Sequence, residues 1–119
     1  MPFESIAPDV LGFVNKYIDS FVVWDILSYF HDRPDFERKS TDIALDIGRR
    51  DSTIKPWLEK LVEQNILATE DEEGDELTYR YVARSDFKLQ MDKFIAATRD
   101  RTMRLAIVSK VLQKEAKRL

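Results

Sequence analysis

The residue types able to do chemistry crowd into one stretch, "DIGRRDSTIKPWLEKLVEQNIL", Asp46 to Leu67. Arg49 and Arg50 precede Ser52, Thr53, Lys55 and Lys60, with Arg38 and Lys39 upstream and Arg80 downstream. Such groups bind anions: ammonium and guanidinium charges neutralise phosphate, while forks and hydroxyls hydrogen-bond phosphate oxygens or the edges of bases. The competing reading of the same bases is an ordinary solvated helix face.

Other chemistries find no residues to carry them. There is no cysteine, so disulfides, thiolate metal sites and cysteine nucleophiles are excluded. His31 is the single histidine, and a metal site is not expected from it. No serine, lysine or carboxylate stands in a recognisable catalytic constellation, so an enzyme is not expected, and no cofactor is implied. Six aromatics, Phe13, Tyr17, Phe21, Trp24, Tyr29 and Phe30, fall within the early helices. They read first as packing, and secondarily as the wall of a small-molecule pocket.

The bulk numbers frame these residues. The 119 residues make one ordinary globular chain, 44% hydrophobic and 34% charged. The start, "MPFESIAPDV", lacks a basic patch and an apolar run, and no stretch is long enough to span a bilayer. A cytoplasmic protein is the expectation. The net charge of −3 is unevenly spread: residues 1–19 carry one base and three acids, residues 20–84 carry 9 and 15, and residues 85–119 carry 9 and 4. Acids therefore dominate the middle, and bases the tail.

Periodicity supplies the elements that must position the basic stretch. Pro8–Ile18 reads as a helix with Val10, Phe13, Val14, Tyr17 and Ile18 on one face. A second helix opens at Asp19 or Ser20, repeats Val23, Ile26, Leu27 and Phe30, and stops at Pro34. A third starts with Ser40 or Thr41 as cap and ends at Gly48, a natural left-handed terminus. In the fourth, capped by Ser52 or Thr53, Ile54, Leu58, Leu61 and Val62 point inward. Ser52, Thr53, Lys55, Pro56, Glu59 and Lys60 then face out, and Asn65 is the stop. Strand-like arms at Ile66–Thr69 and Leu77–Val82 flank a turn centred on Gly74, with Leu77, Tyr79 and Tyr81 on the covered face. Capped by Ser85, a helical pattern runs to the C-terminus; unbroken, its 34 residues would span about 50 Å. A small domain needs no such rod, so part of it is expected to bend, leave the core or meet another chain.

Helix, helix, turn, helix, hairpin is the order of a winged helix-turn-helix. Residues 20–84 resemble the winged-helix transcription regulators, especially the MarR-like and ArsR-like groups. The match is carried by "STDIALDIGRRDSTIKPWLEKLVEQNIL" and the hairpin after it: Gly48, Ser52–Thr53, Ile54, Leu58, Leu61, Asn65 and Ile66–Leu67 fall in order. About 65 residues are covered. The resemblance implies a mainly α fold with a small β-hairpin, a winged helix-turn-helix core with flanking N- and C-terminal helices. Those families build dimers from such flanking helices, so residues 1–19 and 85–119 are expected to serve packing and dimerisation, through Phe13, Tyr17, Leu105, Val108 and Leu112.

The implied function is a homodimeric DNA-binding transcription regulator reading the major groove of double-stranded DNA with helix 52–64. Arg38, Lys39, Arg49, Arg50, Ser52, Thr53, Lys55, Lys60 and Arg80 would carry the contacts. A small aromatic effector is implied only as the minor reading of the aromatics, and ArsR-like metal sensing lacks its thiolates. One feature opposes DNA: Glu70, Asp71, Glu72, Glu73, Asp75 and Glu76 crowd the hairpin tip, where six carboxylates repel phosphate. The alternative is therefore a winged-helix protein-interaction module that does not touch DNA.

Overall fold

The computed structural model describes residues 5–71 and 77–118. Six helices and three strands follow one another as α1 (Pro8–Tyr17), α2 (Phe21–Asp32), β1 (Glu37–Lys39), α3 (Ser40–Ile47), α4 (Asp51–Glu63), β2 (Leu67–Asp71), β3 (Leu77–Tyr81), α5 (Ser85–Thr98) and α6 (Arg101–Lys117). The fold is mainly α with a small antiparallel sheet, arranged as a winged helix. Two compact units form: one joins the chain up to Trp24 with everything from Ser85 onward, the other is Asp25–Arg84. The boundary falls inside α2, after its first turn.

The discontinuous unit is held by rings. Phe13 lies 5.3 Å from Tyr17, 5.4 Å from Phe87 and 5.5 Å from Phe94, and Trp24 meets Phe94 edge-on at 5.2 Å. Such tilted pairs suit the ring quadrupoles and bury large apolar areas. Polar groups close the same unit. The Ser20 hydroxyl accepts from Val23 N at 3.2 Å, capping α2 as the sequence suggested. At its far end α6 clamps the α1–α2 junction. Lys114 Nζ donates to the carbonyls of Val14 and Asn15 at 2.7 and 2.8 Å and pairs with Asp19 at 2.9 Å, while Glu115 accepts from Phe21 N at 2.9 Å.

The C-terminal helical stretch is not one rod: it divides between Thr98 and Arg101, the bend among the expected alternatives. Thr98 Oγ1 donates to its own helix at Ile95 O, 2.6 Å away, and Asp100 caps a new helix by accepting from Met103 N at 3.0 Å. The break shifts the phase of the buried stripe. α5 buries Phe87, Met91, Phe94 and Ala97, but α6 buries Ala106, Ile107 and Val111 instead of the positions an unbroken helix would align. Leu105 and Leu112 are consequently 53% and 54% exposed, with Val108 half-buried between them. Phe13, by contrast, is 2% exposed within its own chain and Tyr17 is half-buried there. The surface of Phe13, expected to meet a partner subunit, is consumed by the cluster with Phe87 and Phe94 in its own chain, while Tyr17 keeps part of its surface.

In the continuous unit the strand order is β1-β3-β2, all antiparallel. β1, "ERK", is absent from the sequence reading because three charged residues show no alternation; its partner β3 lies some forty residues on. Charged residues suit an edge strand, which they protect from further pairing. On β3 the buried residues are Thr78, Tyr79 and Tyr81, whereas Leu77 is 40% exposed. Thr78 lies opposite Lys39 on one side and Glu70 on the other, so longer side chains flank it; Leu77 sits past the end of β1 and has no neighbour there. The covered-face assignment of Leu77 is thus corrected. The turn residues 72–76, including Gly74, lie outside the described residues.

Candidate nucleic-acid interface

The helix-turn-helix is built on two matching helix ends. At Gly48 (φ 72) the chain turns left-handed, Gly48 N bonds Leu45 O at 3.3 Å and Arg49 N bonds Ala44 O at 2.9 Å. At Asn65 (φ 61) the pattern repeats, with Asn65 N to Val62 O and Ile66 N to Leu61 O, both 3.0 Å. Both are Schellman motifs, which fix the direction of the departing chain. The first aims Arg49 and Arg50 into the turn before α4. The second sends Ile66 and Leu67, both buried, into the sheet.

α4 begins one residue earlier than its expected cap. Arg50 occupies the N-cap position without a side-chain cap bond, and Asp51 is the first helical residue, so neither Ser52 nor Thr53 caps. α3 likewise begins at Ser40 after Lys39, with no side-chain cap bond. Asp51 is engaged elsewhere: a hydrogen bond from buried Ser40 holds its carboxyl below the ordinary range against the opposing effect of burial, and Lys55 pairs with it at 3.1 Å. α4 continues through Pro56, whose missing N–H leaves the Ser52 carbonyl without its intrahelical donor.

Two faces result. Ile54 and Leu58 are 0% exposed and Leu61 2%, with Trp57 and Val62 half-buried at the edge. Ser52, Thr53, Lys55, Pro56, Glu59 and Lys60 are all exposed, the division that the periodicity requires. Lys60 leans back along the helix, its Nζ 5.6 Å from the centre of the Trp57 ring.

Arg49 is half-buried and its Nε donates to Asp25 Oδ2 at 2.8 Å. Arg50 is exposed, and its side chain has no hydrogen bond or ion pair to any described residue. The structure therefore joins Arg49, Arg50, Ser52, Thr53 and Lys55 in one turn and the first turns of α4. Arg38, Lys39 and Arg80 sit instead on the sheet. Arg38 stacks over the Phe36 ring at 4.7 Å, and Arg80 lies opposite Glu37 with its Nε 3.7 Å from Glu70. Sequence reasoning missed Asp25 as the partner of Arg49. A carboxylate in an apolar helix was the only signal, and nothing linked it to a residue 24 positions away.

The same unit has an open depression of about 270 Å³ between α2 and α3, walled by Asp25, Asp32, Asp46 and Arg33 beside Tyr29. Tyr29 Oη donates to Asp46 at 2.7 Å, and burial, reinforced by Asp46, pushes the phenol up to about 12. These walls are polar, whereas the aromatics Phe13, Tyr17, Trp24 and Phe94 pack on one another. Among the described residues no group of three or more His, Asp or Glu is placed to hold a metal ion, and no helix is long and apolar enough to cross a membrane.

Comparison with known proteins agrees on architecture. No protein-family model matches the chain, and no curated sequence is significantly similar to it. Among solved structures, the crystal structure of the AntR antimony-specific transcriptional repressor aligns over 92% of this chain and 81% of its own, with a TM-score of 0.54 and 17% identity. A possible transcriptional regulator from Methanosarcina mazei Go1 aligns over 68% and 70%, with a TM-score of 0.47 and 19% identity. At 17% identity the likeness to AntR is one of fold: this is a winged-helix architecture shared with a transcriptional repressor.

Proposed function

We propose that this protein is a DNA-binding transcriptional regulator of the winged-helix type, related to the MarR-like and ArsR-like groups, acting as a homodimer. The carrying observation is the outer face of α4: Ser52, Thr53, Lys55 and Lys60 are exposed, and Arg50 stands at its N-terminal end with no partner among the described residues. The N-terminal end of a recognition helix is the end that meets base edges and phosphates. Short hydroxyls and Lys55 suit the groove, Arg49 and Arg50 suit phosphate, and Arg38, Lys39 and Arg80 supply flanking backbone contacts.

The six carboxylates between Glu70 and Glu76 keep this acidic stretch out of the minor groove, because they repel phosphate over a range near ~8 Å in physiological salt. The second copy meets the exposed side of α6, where Leu105, Val108 and Leu112 recur at one helical face. In the dimer the two α4 helices enter successive major grooves, ~34 Å apart. The antimony specificity of AntR does not carry over: a soft ion prefers thiolates, and this chain has no cysteine.

Fluorescence anisotropy on a random duplex at 50 mM salt tests the reading. Salt-dependent binding is expected, and Arg49→Ala/Arg50→Ala lowers the slope of log K against log salt by roughly 1.8, about 0.9 per phosphate contact. The −6 charge of residues 20–84 favours a second reading, a protein-docking module; complete lack of binding at low salt supports that one.

A further inference from the structure

We infer that Asp25 is a positioning residue for DNA binding, holding the Arg49 guanidinium with its terminal fork turned toward phosphate. This rests on the proposed DNA contact of Arg49 and adds a residue from α2 that does not itself touch DNA.

Arginine presents five N–H donors in a rigid plane. At Arg49 a single donor, Nε–H, is taken by Asp25 Oδ2 at 2.8 Å, a normal length for a charge-assisted bond. The two terminal nitrogens have no partner among the described residues. A bond at Nε fixes the plane of the guanidinium while leaving its end-on edge available, and that edge matches two phosphate oxygens. The backbone is fixed as well, since Arg49 N is tied to Ala44 O at 2.9 Å behind left-handed Gly48. Asp25 itself is set by a rigid helix whose next residues, Ile26 and Leu27, are 0% exposed. Arginine otherwise loses much rotamer freedom when it grips a ligand, and a side chain held at both ends has less left to lose.

The carboxylate acts in two opposing ways. It orients Arg49, and its negative charge repels the same phosphate. Two substitutions separate them, because both delete the charge while only one deletes the acceptor. Asn retains a side-chain oxygen for Nε–H and Ala does not. Asp25 is 42% exposed on its side chain, and Ala is well tolerated in a helix, so both variants fold.

The experiment measures duplex affinity by anisotropy for wild type, Asp25→Asn and Asp25→Ala, each with Arg49 intact and with Arg49→Ala. Asp25→Asn is expected to bind at least as tightly as wild type. Asp25→Ala is expected to bind roughly three- to tenfold more weakly than Asp25→Asn, with the gap closing to within about twofold once Arg49 is Ala. Equal affinities of the Asn and Ala variants overturn the inference. A gap that persists without Arg49 also overturns it, because Asp25 would then act only through the helix. If wild type itself fails to bind at low salt, the DNA reading falls and this inference falls with it; in the other two outcomes only this inference does.

Discussion

Lys114→Met cuts the clamp that α6 places on the α1–α2 junction. The ammonium makes three contacts between 2.7 and 2.9 Å, with Val14 O, Asn15 O and Asp19 Oδ1, and the Lys114 and Asp19 side chains are 17% and 20% exposed. Met preserves the apolar stem and removes only the charged head, so packing is nearly held constant. A hydrogen bond to a charged group is worth about 1.5–3 kcal/mol, but the three share one ammonium. Val14 O also keeps its bond from Ile18 N, so that carbonyl is not orphaned. Asp19, left with less compensation for its burial, adds to the loss. The sum points to about 2–4 kcal/mol, well above the ~0–1 kcal/mol of a surface ion pair. Urea unfolding followed by circular dichroism, at fixed protein concentration, measures it. A double-mutant cycle with Asp19→Asn should show coupling. A loss below about 1 kcal/mol, with no coupling, would refute the reasoning and reduce Lys114 to a surface contact.

Other outcomes follow from single features. Gly48→Ala should cost about 1 kcal/mol, from the φ of 72 alone, since an added Cβ meets nothing within 4 Å; a loss of several kcal/mol in denaturant titration would reveal a clash. Tyr29 ionises near 12 when folded and near 10 when unfolded, so its contribution is full below pH 10 and is lost as pH rises from 10 to 12. Tyr29→Phe should flatten that fall in stability measured across the alkaline range, and an unchanged fall would assign it to other groups. Leu105→Glu/Leu112→Glu should halve the mass seen by sedimentation velocity while leaving helix content intact. A wild type that already sediments as a monomer contradicts the α6 dimer.

Where local chemistry decided the structure, the sequence was readable. Gly48 and Asn65 were identified as left-handed stops because few other residues adopt that conformation cheaply, and the two faces of α4 followed from the spacing of Ile54, Leu58 and Leu61. Ser20, one of two candidate caps with Asp19, was legible because its short side-chain oxygen can accept an orphan backbone N–H at a helix start. Three features were not legible, for reasons particular to each. β1 exists because "ERK" pairs with β3, and its own residues carry no strand pattern. That the C-terminal stretch does not run as one rod was legible from its length, but the position of the break at Thr98–Asp100 was not, because it depends on a local cap winning over continued helix. Ser52 and Thr53 looked like caps by type, but Asp51 starts the helix and spends its carboxylate on Ser40 and Lys55. At the candidate interface the exposed side chains were legible and the Asp25–Arg49 pair was not, because an ion pair between helices leaves no periodic trace.

The central claim is that the outer face of α4 meets DNA. Its most direct test is an amide chemical-shift titration of the isotope-labelled protein with a short duplex at low salt. The account predicts that the perturbed amides cluster from Arg49 to Lys60, with weaker changes at Arg38 and Lys39, and that added salt reverses them. Perturbations confined to α6, or none at all at saturating duplex, would contradict it.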